Sequence, residues 1–113
     1  SRVMNIIGDV KGKTCIIVDD IIDSGGTIVN AVAALKKSGA EDVYVFTTHG
    51  VLSGEAVKKI QSSKIKKLVI TDSIDNSKKI KNHSKIEVLS ISNLMAEAIK
   101  RISNSTSVSD LFN

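Results

Sequence analysis

Residues 14–18 (TCIIV) form an unbroken apolar run that ends abruptly on two adjacent carboxylates, Asp19 and Asp20. A strand with one face in water alternates apolar and polar side chains, so a continuous run marks a strand covered on both faces, the habit of parallel sheets. Parallel strands need crossover connections, usually helices, and the chain supplies them. After a glycine-containing turn, Ile28, Val32 and Leu35 recur at helical spacing, with Ala31 and Ala34 filling the same face. Gly39 then acts as a helix stop, and Lys36 and Lys37 just before it suit the negative end of the helix dipole.

Strand and helix continue to alternate along most of the chain. Residues 43–48 (VYVFTT) read as a second strand, followed by the loop HGVLSG and a short helix over 55–62 with Ala56, Val57 and Ile60 apolar. Residues 68–71 (LVIT) and 86–91 (IEVLSI) read as a third and a fourth strand. Leu94, Met95, Ala98, Ile99 and Ile102 define a closing amphipathic helix. Ahead of Thr14, Gly8 and Gly12 bracket a turn that suggests a hairpin. The expectation is one α/β domain over residues 1–113, with three α/β/α layers around a mainly parallel sheet.

Composition narrows the classes. A 113-residue chain with 42% hydrophobic content can build a core. It has no apolar run of roughly 18 residues to span a bilayer, so no membrane partner is expected. The start, SRVMNIIGDV, lacks the basic-then-apolar pattern of a cleavable leader, and without an initial Met it reads as a piece of something longer. The single cysteine, Cys15, lies in the apolar run and reads as core, compatible with a reducing cytoplasm. Net charge is +4, yet Tyr44, Phe46 and Phe112 are the only aromatics and none sits in a basic run. Without stacking platforms no nucleic-acid partner is expected, and the lysines at 64, 66, 67, 78, 79, 81 and 85 read as a solvated face, as does His83 among them. His49 follows a strand on the edge of the acids, and a loop-ordering role is preferred for it.

The chemistry concentrates between Val18 and Thr27. In open α/β sheets, ligands bind where a strand's carboxyl end meets the next helix's amino end. Ser24, Gly25, Gly26 and Thr27 can wrap a phosphate with backbone N–H groups, since glycine lets the backbone approach closely. The helix N-terminus adds its positive dipole end and the hydroxyls add donors. Asp19 and Asp20 have the wrong charge for phosphate but accept from a sugar diol, and they can hold Mg²⁺ through its waters. A phosphate cradle one loop from paired acids describes a pentose 5-phosphate, and the lysine of a P-loop is absent. The plainer alternatives are a solvated strand end for the acids and an ordinary turn with a Ser/Thr cap for the loop.

Residues 15–27 resemble the motif for phosphoribosyl pyrophosphate (PRPP) shared by type I phosphoribosyltransferases and PRPP synthetases: an apolar strand, two acids, two apolar residues, then a Ser/Thr/Gly loop. Residues 3–12 (VMNIIGDVKG), 48–54 (THGVLSG) and 93–112 (NLMAEAIKRISNSTSVSDLF) further resemble the C-terminal half of PRPP synthetases, so the likeness covers essentially the whole chain. One departure is TDSIDNS (71–77), where Asp75 stands at a position usually occupied by proline.

The resemblance implies a phosphoribosyltransferase-like fold. It also implies a 5-phosphate of ribose 5-phosphate held by Asp23, Ser24, Gly25, Gly26 and Thr27, with Asp19 and Asp20 on the ribose hydroxyls, directly or through a metal shell. It further implies ATP as co-substrate with Mg²⁺, a homo-oligomer (a hexamer in the family), and a regulatory phosphate or ADP contact at Ser107, Val108 and Ser109. In the family the catalytic loop, a metal-binding histidine and the ATP-gripping residues precede the matched part, so no catalytic residue is expected in this segment and the segment alone is expected to make no PRPP. The rival readings are a phosphoribosyltransferase consuming PRPP, disfavoured by THGVLSG and the SVSDLF tail, and a non-catalytic associated subunit, disfavoured by the intact acids and loop. A PRPP-sensing regulator is more distant, as no helix-turn-helix is visible.

Overall fold

The computed structural model describes residues 5–113. The first two residues of the segment at 3–12, and the start of the stretch read for a leader, lie outside the described residues. Among the described residues, four strands and three helices follow in the order β1 (Cys15–Ile22), α1 (Gly26–Lys37), β2 (Val43–Gly50), α2 (Ala56–Ser62), β3 (Lys67–Thr71), β4 (Ile86–Leu89) and α3 (Ser92–Ser103), with a closing 3-10 turn at Ser109–Phe112. The strands lie in the order β1-β2-β3-β4, and every neighbouring pair is parallel.

The register explains the core. Ile17 pairs with Val45, Val45 with Leu68, and Leu68 with Ile86, so one row of branched side chains crosses the sheet. Ile28 and Val32 of α1 and Ala56 and Ile60 of α2 close over that row in a single cluster. Each branched side chain taken fully from water stabilises by roughly 1.5–3 kcal/mol. α1 ends as its sequence dictates. Gly39, at φ 96°, lets the Ala40 amide donate to the Leu35 carbonyl (3.0 Å) and its own amide to Lys36 (3.0 Å), the paired bonds of a Schellman terminus.

Three expectations need correction. β1 does not stop at the acids: it runs on to Ile22, so Asp19 and Asp20 lie inside the strand. The bonds to β2 simply outlast the apolar run, and β2 likewise continues through His49 to Gly50. Nor is there a hairpin among the described residues before Thr14. Instead the Gly12 amide donates to the Gly39 carbonyl (2.8 Å) and Lys13 to Val10 (3.0 Å), a turn folded against the end of α1. Lastly, the described residues cover only one face of the sheet. Ile16 (63% exposed), Val18 (78%) and Phe46 (39%) point away from α1 and α2, and no residue of α3 is buried. No helix among the described residues is long and apolar enough to cross a membrane.

Candidate functional site

The strand-to-helix joint after β1 is built as a cradle. Gly25 occupies the N-cap of α1 at φ 85°, ψ −7°, a left-handed conformation that glycine adopts without steric cost. No side chain caps this helix, and its first turn holds no acid. The leading N–H groups of α1 therefore keep their donors, at the positive end of the dipole. They border a cavity of about 230 Å³ lined by Asp19, Asp23, Ser24, Gly25 and Thr27, with Ile21, Ile22 and Ile28. The structure thus brings six of the seven sequence-predicted sugar-phosphate residues to one place, since Gly26 opens α1 beside them.

Asp20 stands apart. Its amide turns to its neighbour's carboxylate, Asp19 Oδ1, at 2.8 Å. It is also the position at which the β1–β2 pairing skips a residue. Side-chain alternation breaks at the same place. Ile17 packs on the helical layer, and so does Ile22, an odd number of residues later, although a regular strand would put the two on opposite faces. Asp19 lines a second cavity as well, of about 180 Å³, on the open face with Val18, Phe46 and Thr48. One carboxylate therefore sits where the two cavities meet.

The cradle is fixed from behind by a segment whose role sequence reasoning missed, THGVLSG. The Val51 amide donates to the Ile22 carbonyl (2.9 Å), and the Ser53 amide donates to the Asp23 carbonyl (3.1 Å). The Ser53 hydroxyl donates to Asp23 Oδ1, which engages the one carboxylate of the loop at residues 23–27. Ala56 stands behind Gly25, 3.9 Å from where a Cβ would sit. The signal available in sequence was the segment itself: Gly50 and Gly54 lie within it, but nothing in its spacing shows that it folds onto β1.

The loop after β3 completes the frame. Asn76, only 4% exposed, donates to the Gly50 carbonyl (2.7 Å), and Lys79 Nζ donates to Val51 O (3.1 Å) and Leu52 O (3.2 Å). Asp75, at the position where proline is usual, shapes this loop by another means. Its carboxylate accepts from the Ser77 amide (2.9 Å), an Asx turn in place of a fixed φ. The Ser77 amide, then the Ser77 hydroxyl, hold the Asp75 carboxyl below the usual range. His49 Nδ1 meets Ser73 Oγ at 2.8 Å, which fits the loop-ordering role preferred for it.

At the far end of the chain, Ser107 Oγ and Ser109 Oγ are 2.9 Å apart, and Arg101 donates to the Ser107 carbonyl (3.1 Å). Ser107, Val108 and Ser109 do not line the cavity at the cradle. Among the described residues no three or more His, Cys, Asp or Glu side chains are grouped to hold a metal.

Known proteins match this arrangement closely. The ribose-phosphate pyrophosphokinase of Brucella melitensis is 57% identical over 112 residues, covering 99% of this chain and 36% of that protein. That of Vibrio cholerae is 50% identical over 113 residues, again covering 36% of its length. The crystal structure of phosphoribosylpyrophosphate synthetase from Mycobacterium smegmatis superposes with a TM-score of 0.84 at 40% identity, covering 88% of this chain and 33% of that one. The chain thus spans about a third of the length of the curated relatives it matches. Since the family model for the phosphoribosyl synthetase-associated domain matches residues 2–113, the chain belongs to that family.

Proposed function

We propose that this chain is a phosphoribosyltransferase-like domain forming the ribose-5-phosphate half-site of a ribose-phosphate pyrophosphokinase. The observation that carries the reading is the uncapped amino end of α1, opened by Gly25 in the left-handed region and bordering a cavity that Asp19 shares. Asp23, Ser24, Gly25, Gly26 and Thr27 hold the 5-phosphate by backbone N–H groups and hydroxyls. Asp19 and Asp20 accept from the ribose hydroxyls. The names and identities of the relatives support the substrate assignment.

In the reaction so assigned, the C1 hydroxyl of the sugar attacks the β-phosphorus of ATP, the diphosphoryl group moves as a unit, and AMP leaves. This half-site contributes positioning, which dominates catalysis of such transfers. ATP is held by the remainder of the relatives' length, so the purified chain makes no PRPP. Mg²⁺ fits the acids on chemical grounds, since it keeps most of its waters and takes one or two carboxylates; bound with ATP, it neutralises charge on the diphosphoryl group. Cys15, free and partly buried, suits a reducing cytoplasm. Ser107, Val108 and Ser109 form a regulatory phosphate or ADP contact between subunits of a homo-oligomer, supported by the convergence of two hydroxyls near Arg101.

The test is an NMR titration of ribose 5-phosphate, inorganic phosphate and PRPP, with Mg²⁺, into this chain and into its Asp19→Ala, Asp20→Ala double variant. Amide shifts are expected at residues 23–27, with ribose 5-phosphate binding more tightly than phosphate and losing that advantage in the variant. Silence at those amides with millimolar ligand would refute the half-site.

A further inference from the structure

We infer that Lys79 is a positioning residue for the phosphate cradle, acting through the backbone of Leu52 and Ser53. The inference rests on the ribose-5-phosphate reading for its ligand, but its geometry is independent of that reading. Leu52 has φ 52° and is 1% exposed. A bulky residue in the left-handed region is strained and persists only where its surroundings over-determine it. Three restraints do so here. The side chain is locked in the core, the amide donates to the Ile22 carbonyl (3.3 Å), and the carbonyl accepts from Lys79 Nζ (3.2 Å).

The same ammonium also binds the Val51 carbonyl (3.1 Å), so one charged donor closes both carbonyls of the bend. Immediately beyond the bend, Ser53 makes its two bonds to Asp23, through its amide (3.1 Å) and its hydroxyl. The path is therefore Lys79 to the Val51–Leu52 bend, the bend to Ser53, and Ser53 to the first residue of the cradle. Without Lys79 the bend loses its charge-assisted bonds, the stronger kind. The sequence places Lys79 in a lysine-rich stretch that reads as solvated, and the residue is indeed exposed. What separates it from Lys78 and Lys81 is where that tip ends.

The experiment compares the chain with Lys79→Met, which keeps the stem and removes the donor, and Lys79→Arg, which restores a cationic donor. Two readouts are taken: amide hydrogen exchange at Leu52 and Ser53, and the dissociation constant for ribose 5-phosphate from shifts at residues 23–27. Faster exchange at Ser53 and about tenfold weaker binding in Lys79→Met, the scale of one lost charge-assisted bond, with Lys79→Arg recovering both, is the expected result. Unchanged Ser53 exchange in Lys79→Met overturns the inference, and so does weaker binding without faster exchange, since a bare charge effect would do that. If the parent chain shows no shifts with ribose 5-phosphate, the half-site reading falls. Ser53 exchange then decides the inference alone, acceleration upholding it and its absence overturning it. Should Lys79→Met fail to fold, Ser53→Ala takes its place. Loosened exchange at residues 23–25 with the fold intact is then expected, and unchanged exchange there overturns the path.

Discussion

Adjacent glycines in the cradle have different physical reasons to be glycine. Gly25 needs its φ of 85°, whereas Gly26 has an ordinary helical conformation and no atom within 4 Å of where a Cβ would sit. Gly25→Ala is therefore expected to cost about 1–2 kcal/mol through backbone strain, without a clash, since Ala56 lies at ordinary contact distance. Gly26→Ala is expected to leave stability unchanged or raise it by about 0.5 kcal/mol, because the unfolded chain loses freedom. Yet it should weaken ribose 5-phosphate binding, since a methyl group at the helix opening blocks close approach. Urea denaturation of both variants beside the NMR titration separates the two effects. A stability loss in Gly26→Ala equal to that in Gly25→Ala would contradict this account. Gly50 has a third reason: Ile70 Cδ1 would stand 2.9 Å from its Cβ.

The elements are joined at their ends by polar side chains that periodicity does not register. Asp72, just past β3, accepts from the Ile91 amide (2.8 Å) at the entrance to α3. That backbone bond, then the Ser90 hydroxyl, lower the Asp72 carboxyl from its ordinary value. A folded-state value below the unfolded one means that the group stabilises the fold above the ordinary aspartate range. The contribution is lost as pH falls through the lowered value. The stability difference between the chain and Asp72→Ala, measured by urea denaturation, should thus be largest near about pH 7 and shrink towards zero by about pH 2. A constant difference across that range would show that the carboxylate's charge plays no part in holding β4 and α3 to β3.

For the molecule as a whole, the open sheet face is the dominant feature. The radius of gyration is 16.6 Å, against about 13 Å for a compact chain of roughly 100 residues. The excess follows from a sheet covered on one side and an α3 that buries nothing. Ile16→Thr and Val18→Thr together should shift stability by no more than about 0.5 kcal/mol, as surface changes do, because both side chains are largely exposed. Leu68→Ala, two strands away on the covered face and fully buried, should cost about 2–5 kcal/mol. Equilibrium urea denaturation compares them, and a large loss in the Ile16, Val18 pair would show that the face is covered in solution.

Apolar periodicity, helix stops and the acid–glycine motif are local properties of the chain, so the sequence alone determined the strand–helix alternation, the ends of α1 and the residues of the cradle. The parallel sheet followed too, because the continuous run at residues 14–18 has few other uses. The one-sided burial of that run was not legible, since an apolar strand reads the same whether its second face is covered or bare. The extension of β1 through Asp19 and Asp20 was hidden as well, because backbone pairing with β2 outlasts the apolar side chains that announce a strand. Ser53, Asn76 and Lys79 lie 30, 53 and 56 residues beyond Asp23, and no spacing rule connects positions so far apart in sequence. Only the tertiary structure decided that the THGVLSG bend folds onto the cradle and that one lysine tip closes it, because those bonds exist only once the strands stand side by side.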